Sequence, residues 1–253
     1  MNEINLKQWH DEDFTFHKDT KISFAQCTPD CKMSWAEILK FTSDMAGEDF
    51  TQRGMSWTFL QEKGIVIIVT RVSFTVKKMP VADEIISLRT WESAAQGPFC
   101  TRNYEISDKE SGEVLIIGQS LWTIIDLNSK KLIPAKAYPY RPIPTLVTDF
   151  EGYKPGKISI PENMELLGTH IVLYSELDAN GHTNNSKYIN FALDYMPVEF
   201  RTKEIKNFRL NYSKEAHLGA ILEIKGYYNA EENKYTVQGT VEGATSFECE
   251  LYY

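Results

Sequence analysis

The sequence predicts an α+β protein in which one structural unit occurs twice. Three observations support this prediction. Apolar residues recur at a constant offset between the halves of the chain, each half holds one strongly apolar helical segment, and alternating strand-like segments follow each helix. The 253 residues are enough for two compact domains of about 100–150 residues each.

The first part of the repeat relates residues 22–45 to residues 172–195, which lie 150 positions further along the chain. The aligned pairs include Leu39 with Ile189, Phe41 with Phe191 and Asp44 with Asp194. In both copies, an extended segment leads through a short polar loop into a helical segment. The order of elements is therefore the same in the two halves.

The second part of the repeat relates residues 72–76 to residues 208–212, which lie 136 positions further along the chain. Ile86 and Leu88 then align with Leu222 and Ile224. Both copies alternate apolar and polar residues with a period of two, as half-buried strands do. The offset falls from 150 to 136 because the first copy has additional residues, including Trp57–Phe59, between its helix and its next strand.

The two predicted helices carry unusually broad apolar surfaces. The stripe on the first is formed by Trp35, Ile38, Leu39, Thr42, Met45 and Ala46. The second is apolar nearly all round, at Tyr188, Ile189, Phe191, Ala192, Leu193, Tyr195 and Met196. Such helices must be buried on most sides.

Eight strand-like segments follow the two helices. They cover residues 65–76, 84–94, 99–107 and 113–126 in the first copy and 204–213, 220–228, 234–242 and 246–252 in the second. A buried helix wrapped by an antiparallel sheet is the hot-dog arrangement, so we predict a double hot-dog. We expect an N-terminal unit at 1–127, a linker at 128–164 that holds six of the ten prolines, and a C-terminal unit at 165–253.

Charge and apolar content exclude several classes of function. The formal net charge of −8 opposes binding to nucleic acid or to an anionic membrane surface. The richest apolar run, Ile65–Val69, is far shorter than the ~20 residues of a membrane span. Residues 1–13 are polar and acidic, so we expect no secretory signal.

The four cysteines, at positions 27, 31, 100 and 249, are too scattered for a disulfide scaffold. We therefore expect reduced thiols in a cytoplasmic protein. The sequence leaves open whether this protein is a monomer or a homodimer.

A polar loop precedes the second helix and carries the candidate chemistry. Asp178, Asn180 and His182 alternate along it, and residues 184–186 (Asn-Asn-Ser) offer candidate N-caps. The positive end of the helix dipole stabilises a developing oxyanion. The same field disfavours imidazolium, so we expect His182 to stay neutral and able to accept a proton. We call residues 177–186 the motif loop.

Residues 178–188 read Asp-Ala-Asn-Gly-His-Thr-Asn-Asn-Ser-Lys-Tyr. They closely resemble the Asp-x-Asn-x-His-x-Asn-Asn-x-x-Tyr motif of the acyl-acyl-carrier-protein thioesterases, which are plant fatty-acid-releasing enzymes with bacterial relatives. The segment from Pro29 to Glu48 and the two-copy layout also resemble that family, so the likeness covers nearly the whole chain. It implies a double hot-dog that hydrolyses fatty acyl thioesters of acyl-carrier protein.

The resemblance also implies the site residues. It assigns Asp178, Asn180 and His182 as catalytic, and it adds Glu215 because Tyr-Ser-Lys-Glu-Ala at 212–216 resembles the family's Tyr-Arg-Arg-Glu-Cys. This chain has Ala216 where the plant pattern has Cys, and none of its cysteines lies beside the motif. We therefore favour direct attack by water, without a metal or another cofactor. Which acid acts as the base stays open, as does direct attack by Asp178 to give an anhydride.

The matching positions of the first copy are Thr28, Asp30, Lys32 and Met79, which cannot perform the same chemistry. By the resemblance, that copy would shape the acyl-chain pocket. Its candidate lining residues are Met33, Trp57, Phe59 and Phe74, each of which could equally be ordinary core. Asn184 is a further candidate for substrate contact, with helix capping as the alternative.

Several alternatives stay open at the level of sequence. The carrier could be coenzyme A, and related hot-dog activities include hydration of enoyl thioesters and binding of acyl thioesters without turnover. A metal held by His182 and His217 with carboxylates is a further alternative. Docking of acidic acyl-carrier protein needs a local basic patch. Its candidates are Lys130, Lys131, Lys136 and Arg141, or Arg201, Lys203 and Lys206.

Overall fold

The computed structural model describes residues 6–142, 144 and 150–253. The described strands form one antiparallel sheet of twelve strands. The first copy contains β1 (Gln8–His10), β2 (Phe16–Lys21), α1 (Trp35–Gln52), α2 (Trp57–Glu62), β3 (Ile65–Val76), β4 (Ile85–Gln96), β5 (Phe99–Asp108) and β6 (Val114–Asp126). The short strand β7 (Leu132–Ile133) follows. The second copy contains β8 (Glu165–Ile171), α3 (Lys187–Tyr195), α4 (Val198–Arg201), β9 (Asn207–Tyr212), β10 (Ile221–Asn229), β11 (Lys234–Val241) and β12 (Ala244–Tyr252).

The predicted repeat is visible in the strand order. The first copy is ordered β2-β4-β5-β6-β3 and the second β9-β12-β11-β10-β8, so the same order recurs in reverse. Each copy has two isolated β-bridges among its described residues, and they occupy equivalent positions. Cys27 pairs with Met33 in the first copy as Leu177 pairs with Thr183 in the second, at the offset of 150 residues. Lys32 pairs with Val81 as His182 pairs with His217, at offsets of 150 and 136 residues. The double hot-dog prediction is therefore confirmed.

The two copies meet at β3 and β9. These strands pair antiparallel from Arg71 opposite Asn211 to Thr75 opposite Asn207. Phe208 on β9 stacks on Phe74 of β3 and also contacts Trp35 of α1, with ring centroids 6.4 and 5.0 Å apart. Buried residues of both copies belong to one continuous apolar core. The halves thus share both a hydrogen-bonded ladder and a hydrophobic interior.

Both central helices bury the residues that the sequence pattern indicates. All six residues of the α1 stripe are buried, and Asp49 is buried with them. In α3, the buried residues are Tyr188, Ile189, Phe191 and Ala192. The Oγ of Ser34 accepts a hydrogen bond from the N–H of Glu37 at 3.3 Å, which satisfies an otherwise unpaired donor at the start of α1.

A buried charge cluster lies at the C-terminal end of α1. The Asp49 carboxylate accepts hydrogen bonds from Arg102 at 2.7 Å and from Arg53 at 3.2 Å. Arg53 and Arg141 also pair with Glu92, each at 3.1 Å. Burial of a charge is unfavourable unless it is paired and hydrogen-bonded, and here each buried charge has an opposite partner. Burial raises the pKa of Asp49, but Arg102 and Arg53 outweigh it and hold that pKa below its usual range.

The lowered pKa of Asp49 predicts a pH dependence of stability. Its stabilising effect should be complete above the unfolded-state pKa of about 3.9 and disappear as the pH falls through the lower folded-state value. Asp49→Asn should reduce the free energy of unfolding by roughly 3 kcal/mol at pH 7, because it removes the carboxylate that pairs with the buried Arg102. Denaturant unfolding at several pH values should show that this deficit shrinks below pH ~4.

The matched control is Asp83→Asn, whose exposed carboxylate pairs with Lys21 at the surface. It should change stability by less than about 1 kcal/mol at any pH. A deficit for Asp49→Asn that stays constant from pH 7 to pH 3 would contradict the linkage to Asp49.

The connecting segment contacts both copies where it is described. The N–H of Tyr153 donates to Oγ1 of Thr75 in β3, and Nε of Arg209 in β9 donates to the carbonyl of Lys154. Part of the segment predicted as a linker, residues 143 and 145–149, lies outside the described residues. Among the residues described, no helix has the length and apolar character needed to cross a membrane.

Candidate active site

The motif loop is a tight turn closed by its own backbone. The N–H of Asp178 donates to the carbonyl of His182 at 2.8 Å, and the N–H of Gly181 donates to the carbonyl of Asp178 at 3.0 Å. Gly181 has a φ of 75°, a left-handed conformation that glycine adopts without steric cost. Oδ1 of Asp178 accepts from the N–H of Asn180 at 2.8 Å. This turn delivers His182 to the edge of the segment that follows β9.

Hydrogen bonds with Thr183 and Tyr188 hold that segment in place at Ala216, and we call this set of hydrogen bonds the clamp. Thr183 donates both its N–H and its Oγ1 hydroxyl to the Ala216 carbonyl, at 2.9 and 2.8 Å. The Ala216 N–H donates to the hydroxyl of Tyr188 at 3.3 Å. Burial raises the pKa of Tyr188, so its hydroxyl stays protonated at neutral pH. Because both backbone groups of Ala216 are engaged, its neighbours Glu215 and His217 are fixed against the motif loop.

The clamp brings three side chains together. Nδ1 of His182 lies 3.2 Å from Oε2 of Glu215. The ring of His217 meets that of His182 edge to face, with centroids 4.8 Å apart. The side chains of His182 and Glu215 are 32% and 53% exposed, so solvent and substrate can reach both. A carboxylate at Nδ1 favours the tautomer that donates from Nδ1, which leaves Nε2 as the proton acceptor.

The other predicted site residues lie on the same loop with different contacts. The carboxylate of Asp178 is hydrogen-bonded to its own turn, and Asn180 is exposed. Oδ1 of Asn184 accepts from the N–H and the hydroxyl of Ser186, at 2.9 and 2.7 Å, just before α3 begins. Asn184 therefore stabilises the turn before the helix, whereas the N-cap residue is Ser186, which makes no side-chain cap hydrogen bond. Its contact with substrate stays a prediction.

A cleft between the two copies opens beside the start of α3. The first copy lines it with Leu39, Thr42, Val69, Val72, Tyr104 and Trp122, among others. The second copy contributes Asn184, Asn185, Ser186 and Tyr212. The first copy also lines the cleft with Lys40, Ser43 and Asp44, so both apolar and polar side chains of that copy face the polar loop of the other. Sequence periodicity marks these residues as buried, but only the packing of the copies shows which of them share a cleft.

The four predicted pocket residues lie elsewhere in the first copy. Met33 and Phe74 are fully buried in the core, while Trp57 is 64% exposed at the start of α2. Phe59 is partly buried and meets Tyr140 edge to face. None of the four is among the described residues that line the cleft.

The first copy retains the backbone of the loop without its chemistry. The N–H of Thr28 donates to the carbonyl of Lys32 at 2.8 Å, as Asp178 donates to His182. Cys31 adopts a φ of 62° where the second copy has Gly181. Lys32 and Val81 form the bridge that matches His182 and His217, and Met79 occupies the position of Glu215. Only the second copy therefore combines an imidazole with a carboxylate at this place.

The cysteines lie away from the contact between His182 and Glu215. Cys100 and Cys249 are buried, and Cys27 and Cys31 belong to the loop of the first copy. We predict that replacing all four with Ala or Ser preserves, within a few-fold in a protein that still folds, the thioester hydrolysis that the sequence resemblance implies. Thiol release measured before and after treatment with a thiol-blocking reagent checks the same point. Stoichiometric inactivation traced to one cysteine would contradict attack by water.

The fold and the site together define a class. The chain is a double hot-dog protein whose second copy presents a histidine and a carboxylate next to the central helix. Residues 13–137 match the acyl-ACP thioesterase N-terminal domain, and residues 163–249 match the acyl-ACP thioesterase C-terminal domain. The chain belongs to the acyl-ACP thioesterase family, which confirms the prediction from the motif.

Two relatives with curated names come from plants. A chloroplastic acyl-[acyl-carrier-protein] hydrolase of Cuphea viscosissima is 26% identical over 169 residues, which cover 64% of this chain and 41% of the relative. A chloroplastic dodecanoyl-[acyl-carrier-protein] hydrolase of Cinnamomum camphora is 23% identical over 171 residues, covering 65% and 45%. These matches span less than half the length of the plant proteins.

Solved structures show the same fold over nearly the full chain. An acyl-ACP thioesterase from Bacteroides thetaiotaomicron superposes with a TM-score of 0.84 at 24% identity, covering 95% of this chain and 98% of that one. A 12:0-ACP thioesterase from Umbellularia californica superposes with a TM-score of 0.78 at 18% identity, covering 94% and 96%.

Proposed function

We propose that this chain hydrolyses fatty acyl thioesters of acyl-carrier protein and releases free fatty acid, by direct attack of water and without a metal. The observation that carries the proposal is the contact between Nδ1 of His182 and Oε2 of Glu215 at 3.2 Å. It supplies an oriented base beside the start of α3, in a chain of the acyl-ACP thioesterase family.

The proposed reaction begins with a water molecule at the free Nε2 of His182. His182 takes a proton from this water as the oxygen attacks the thioester carbonyl, and Glu215 stabilises the imidazolium that forms. The tetrahedral oxyanion is stabilised by the Asn180 side chain and the backbone at the start of α3. When the carbon–sulfur bond breaks, His182 returns the proton to the leaving thiolate. A fatty acid and a free thiol result.

Asp178 has the second acidic role in the proposal. Its carboxylate accepts the N–H of Asn180 and thereby fixes the turn that carries both Asn180 and His182. We therefore assign Glu215 as the partner of the base and Asp178 as the organiser of the loop.

We also propose a division of labour between the copies. Residues 165–253 perform the chemistry, and residues 1–127 shape the acyl-chain pocket, with 128–164 connecting the two. The support is the cleft beside the motif loop, whose apolar wall comes from α1, β3 and β6 of the first copy. The cleft encloses only about 50 Å³, so it offers an acyl chain a first apolar contact and the two copies would have to supply further space for the rest of the chain.

The carrier is the least constrained part of the substrate. The plant relatives are named for hydrolysis of acyl-carrier-protein thioesters, and we propose the same carrier here. Arg141 is one of the residues predicted for a basic docking patch. It is instead buried and pairs with Glu92, whose buried carboxylate is stabilised by the opposite charge. That expectation is wrong for Arg141. Docking is left to Lys130, Lys131 and Lys136, or to Arg201, Lys203 and Lys206.

The described cysteines are free thiols, which supports a reducing compartment. We therefore place the enzyme in the cytoplasm, where it would draw on the acyl chains of fatty acid biosynthesis.

The testing experiment measures thiol release from a panel of acyl thioesters of graded chain length, each presented on acyl-carrier protein and on coenzyme A. We expect release, with a higher kcat/KM for the protein-bound series. A higher kcat/KM for the coenzyme A series would show that the carrier is coenzyme A, while the proposal of thioester hydrolysis would stand. Addition of water to an enoyl thioester without thiol release would indicate a hydratase, and tight binding without turnover would indicate a sensor.

A further inference from the structure

We propose that His182, Glu215 and His217 together form a binding site for a divalent transition-metal ion of the Zn²⁺ class, and that an ion bound there inhibits the enzyme. In the described part of the chain, these three side chains place one ligand atom each within 4.8 Å of the others. Two imidazoles and a carboxylate are donors that zinc prefers, and three protein ligands leave a fourth position for water.

The distances are close to those of a zinc site. Tetrahedral coordination with Zn–N near ~2.0–2.1 Å and Zn–O near ~2.0–2.2 Å separates neighbouring ligand atoms by about 3.4 Å. Nδ1 of His182 and Oε2 of Glu215 are already 3.2 Å apart. The remaining separations need to shorten by at most about 1.4 Å. His217 is exposed, so rotation of its side chain can supply that movement.

The backbone holds the ligands in register before any ion arrives. His182 and His217 lie opposite each other in an antiparallel bridge, and the hydrogen bonds of Thr183 and Tyr188 to Ala216 fix that bridge. Opposed residues of this kind have Cβ atoms about 4.5–5.5 Å apart, which lets both side chains reach one point. Binding therefore needs side-chain rotation and no rearrangement of the loop.

The negative charge at the site comes from one of its own ligands. The depression beside Glu215 and His217 is also lined by Glu223 and Glu242. Glu242 pairs with Lys214 at 3.0 Å and Glu223 pairs with Lys225 at 3.9 Å, so each of these neighbouring carboxylates has a lysine partner. The exposed carboxylate of Glu215 therefore supplies the charge that attracts a cation.

Inhibition rests on the proposed function. An ion bound to Nδ1 of His182 leaves the neutral ring with its proton on Nε2, so Nε2 can no longer accept a proton from water. The same ion takes the Glu215 oxygen that would stabilise the imidazolium. His217 adds affinity for the ion and has no step in the proposed reaction. The two processes can thus be separated by substitution of His217.

Activity provides the first test. Wild-type protein treated with EDTA should keep full thioesterase activity, and micromolar Zn²⁺ should abolish it reversibly. His217→Ala should keep the EDTA-treated rate and need at least ~10-fold more Zn²⁺ for half-inhibition, since even outer-sphere partners of a metal are worth ~10–100-fold in affinity. His17→Ala removes a histidine that pairs with Asp11 in the first copy, and it should leave the inhibition unchanged.

Metal binding provides a test that does not depend on turnover. Co²⁺ added to the EDTA-treated protein should give visible absorption bands of a low-coordinate site, and these should be lost in His217→Ala but kept in His17→Ala. Equal Co²⁺ spectra or equal Zn²⁺ inhibition in all three proteins would overturn the metal site. Loss of activity on chelation with recovery on Zn²⁺ would overturn the inhibitory role. Co²⁺ binding in a protein without thioesterase activity would leave the metal site in place and refute the proposed function.

Discussion

His182→Ala should lower the rate of thioester hydrolysis by ~10²–10⁴-fold while the protein remains folded. The imidazole is the only base in contact with Glu215 within the described chain, and its removal leaves water without a proton acceptor. Because His182 is partly exposed, its loss creates no buried cavity. Steady-state thiol release, with circular dichroism as the check on folding, measures the effect.

The internal repeat supplies the matched control for this variant. Lys32 occupies the same position in the loop of the first copy, where it pairs with Asp30 at 3.4 Å. Lys32→Ala should leave kcat within two- to three-fold of wild type, on the scale of a lost surface ion pair. Equal losses in the two variants would show that the two copies share the chemistry, contrary to a single active site.

Glu215→Gln should also lower kcat by ~10²–10⁴-fold, the range typical of a general acid–base contribution. Glutamine keeps the shape of the side chain and an oxygen that can accept from Nδ1 of His182, but it removes the charge that stabilises the imidazolium. Binding of a non-hydrolysable acyl thioester should change little, so the loss should appear in kcat rather than in KM.

A nearby carboxylate separates this effect from a general change in surface charge. Glu223 lines the same depression as Glu215, and Glu223→Gln removes the same unit of charge. It should stay within a few-fold of wild type. If Glu215→Gln also stayed within a few-fold, Glu215 would be a surface residue and Asp178 would be the remaining acid for catalysis.

Local periodicity was sufficient to predict much of the fold. The strand at 65–76 has the bounds that its alternation indicates, and the α1 stripe is buried at all six positions. These signals depend on residues close together in the chain. The same locality explains the elements that were not predicted, which are short or lack a clear alternation: β1, β2, β7, β8, α2 and α4.

The buried charges and the clamp needed tertiary information. Asp49 belongs to the buried face of α1, but its partners Arg102 and Arg53 are identified only by packing. At the candidate site, the family resemblance pointed to His182 and Glu215, whereas only packing shows that Thr183 and the hydroxyl of Tyr188 bond to the backbone of Ala216. Comparison of the two copies indicates in the sequence that their clamps differ. The positions of Thr183, Tyr188 and Ala216 in the second copy are occupied in the first by Met33, Ile38 and Pro80. The N–H of Met33 still donates to the carbonyl of Pro80 at 2.8 Å, so the first copy keeps one half of the clamp. Proline has no N–H, so the hydrogen bond that Ala216 donates to Tyr188 has no counterpart there.

The junction of β3 and β9 has a consequence for how the protein comes apart. Five opposed residue pairs, from Arg71 with Asn211 to Thr75 with Asn207, join the halves. Separation of the copies would break the backbone hydrogen bonds between β3 and β9 and would expose Phe74 and Phe208 to water. A cut in the connecting segment would therefore leave the two pieces associated. Heat or denaturant should melt them in a single cooperative step, so damage to the first copy would also inactivate the catalytic centre that we propose in the second.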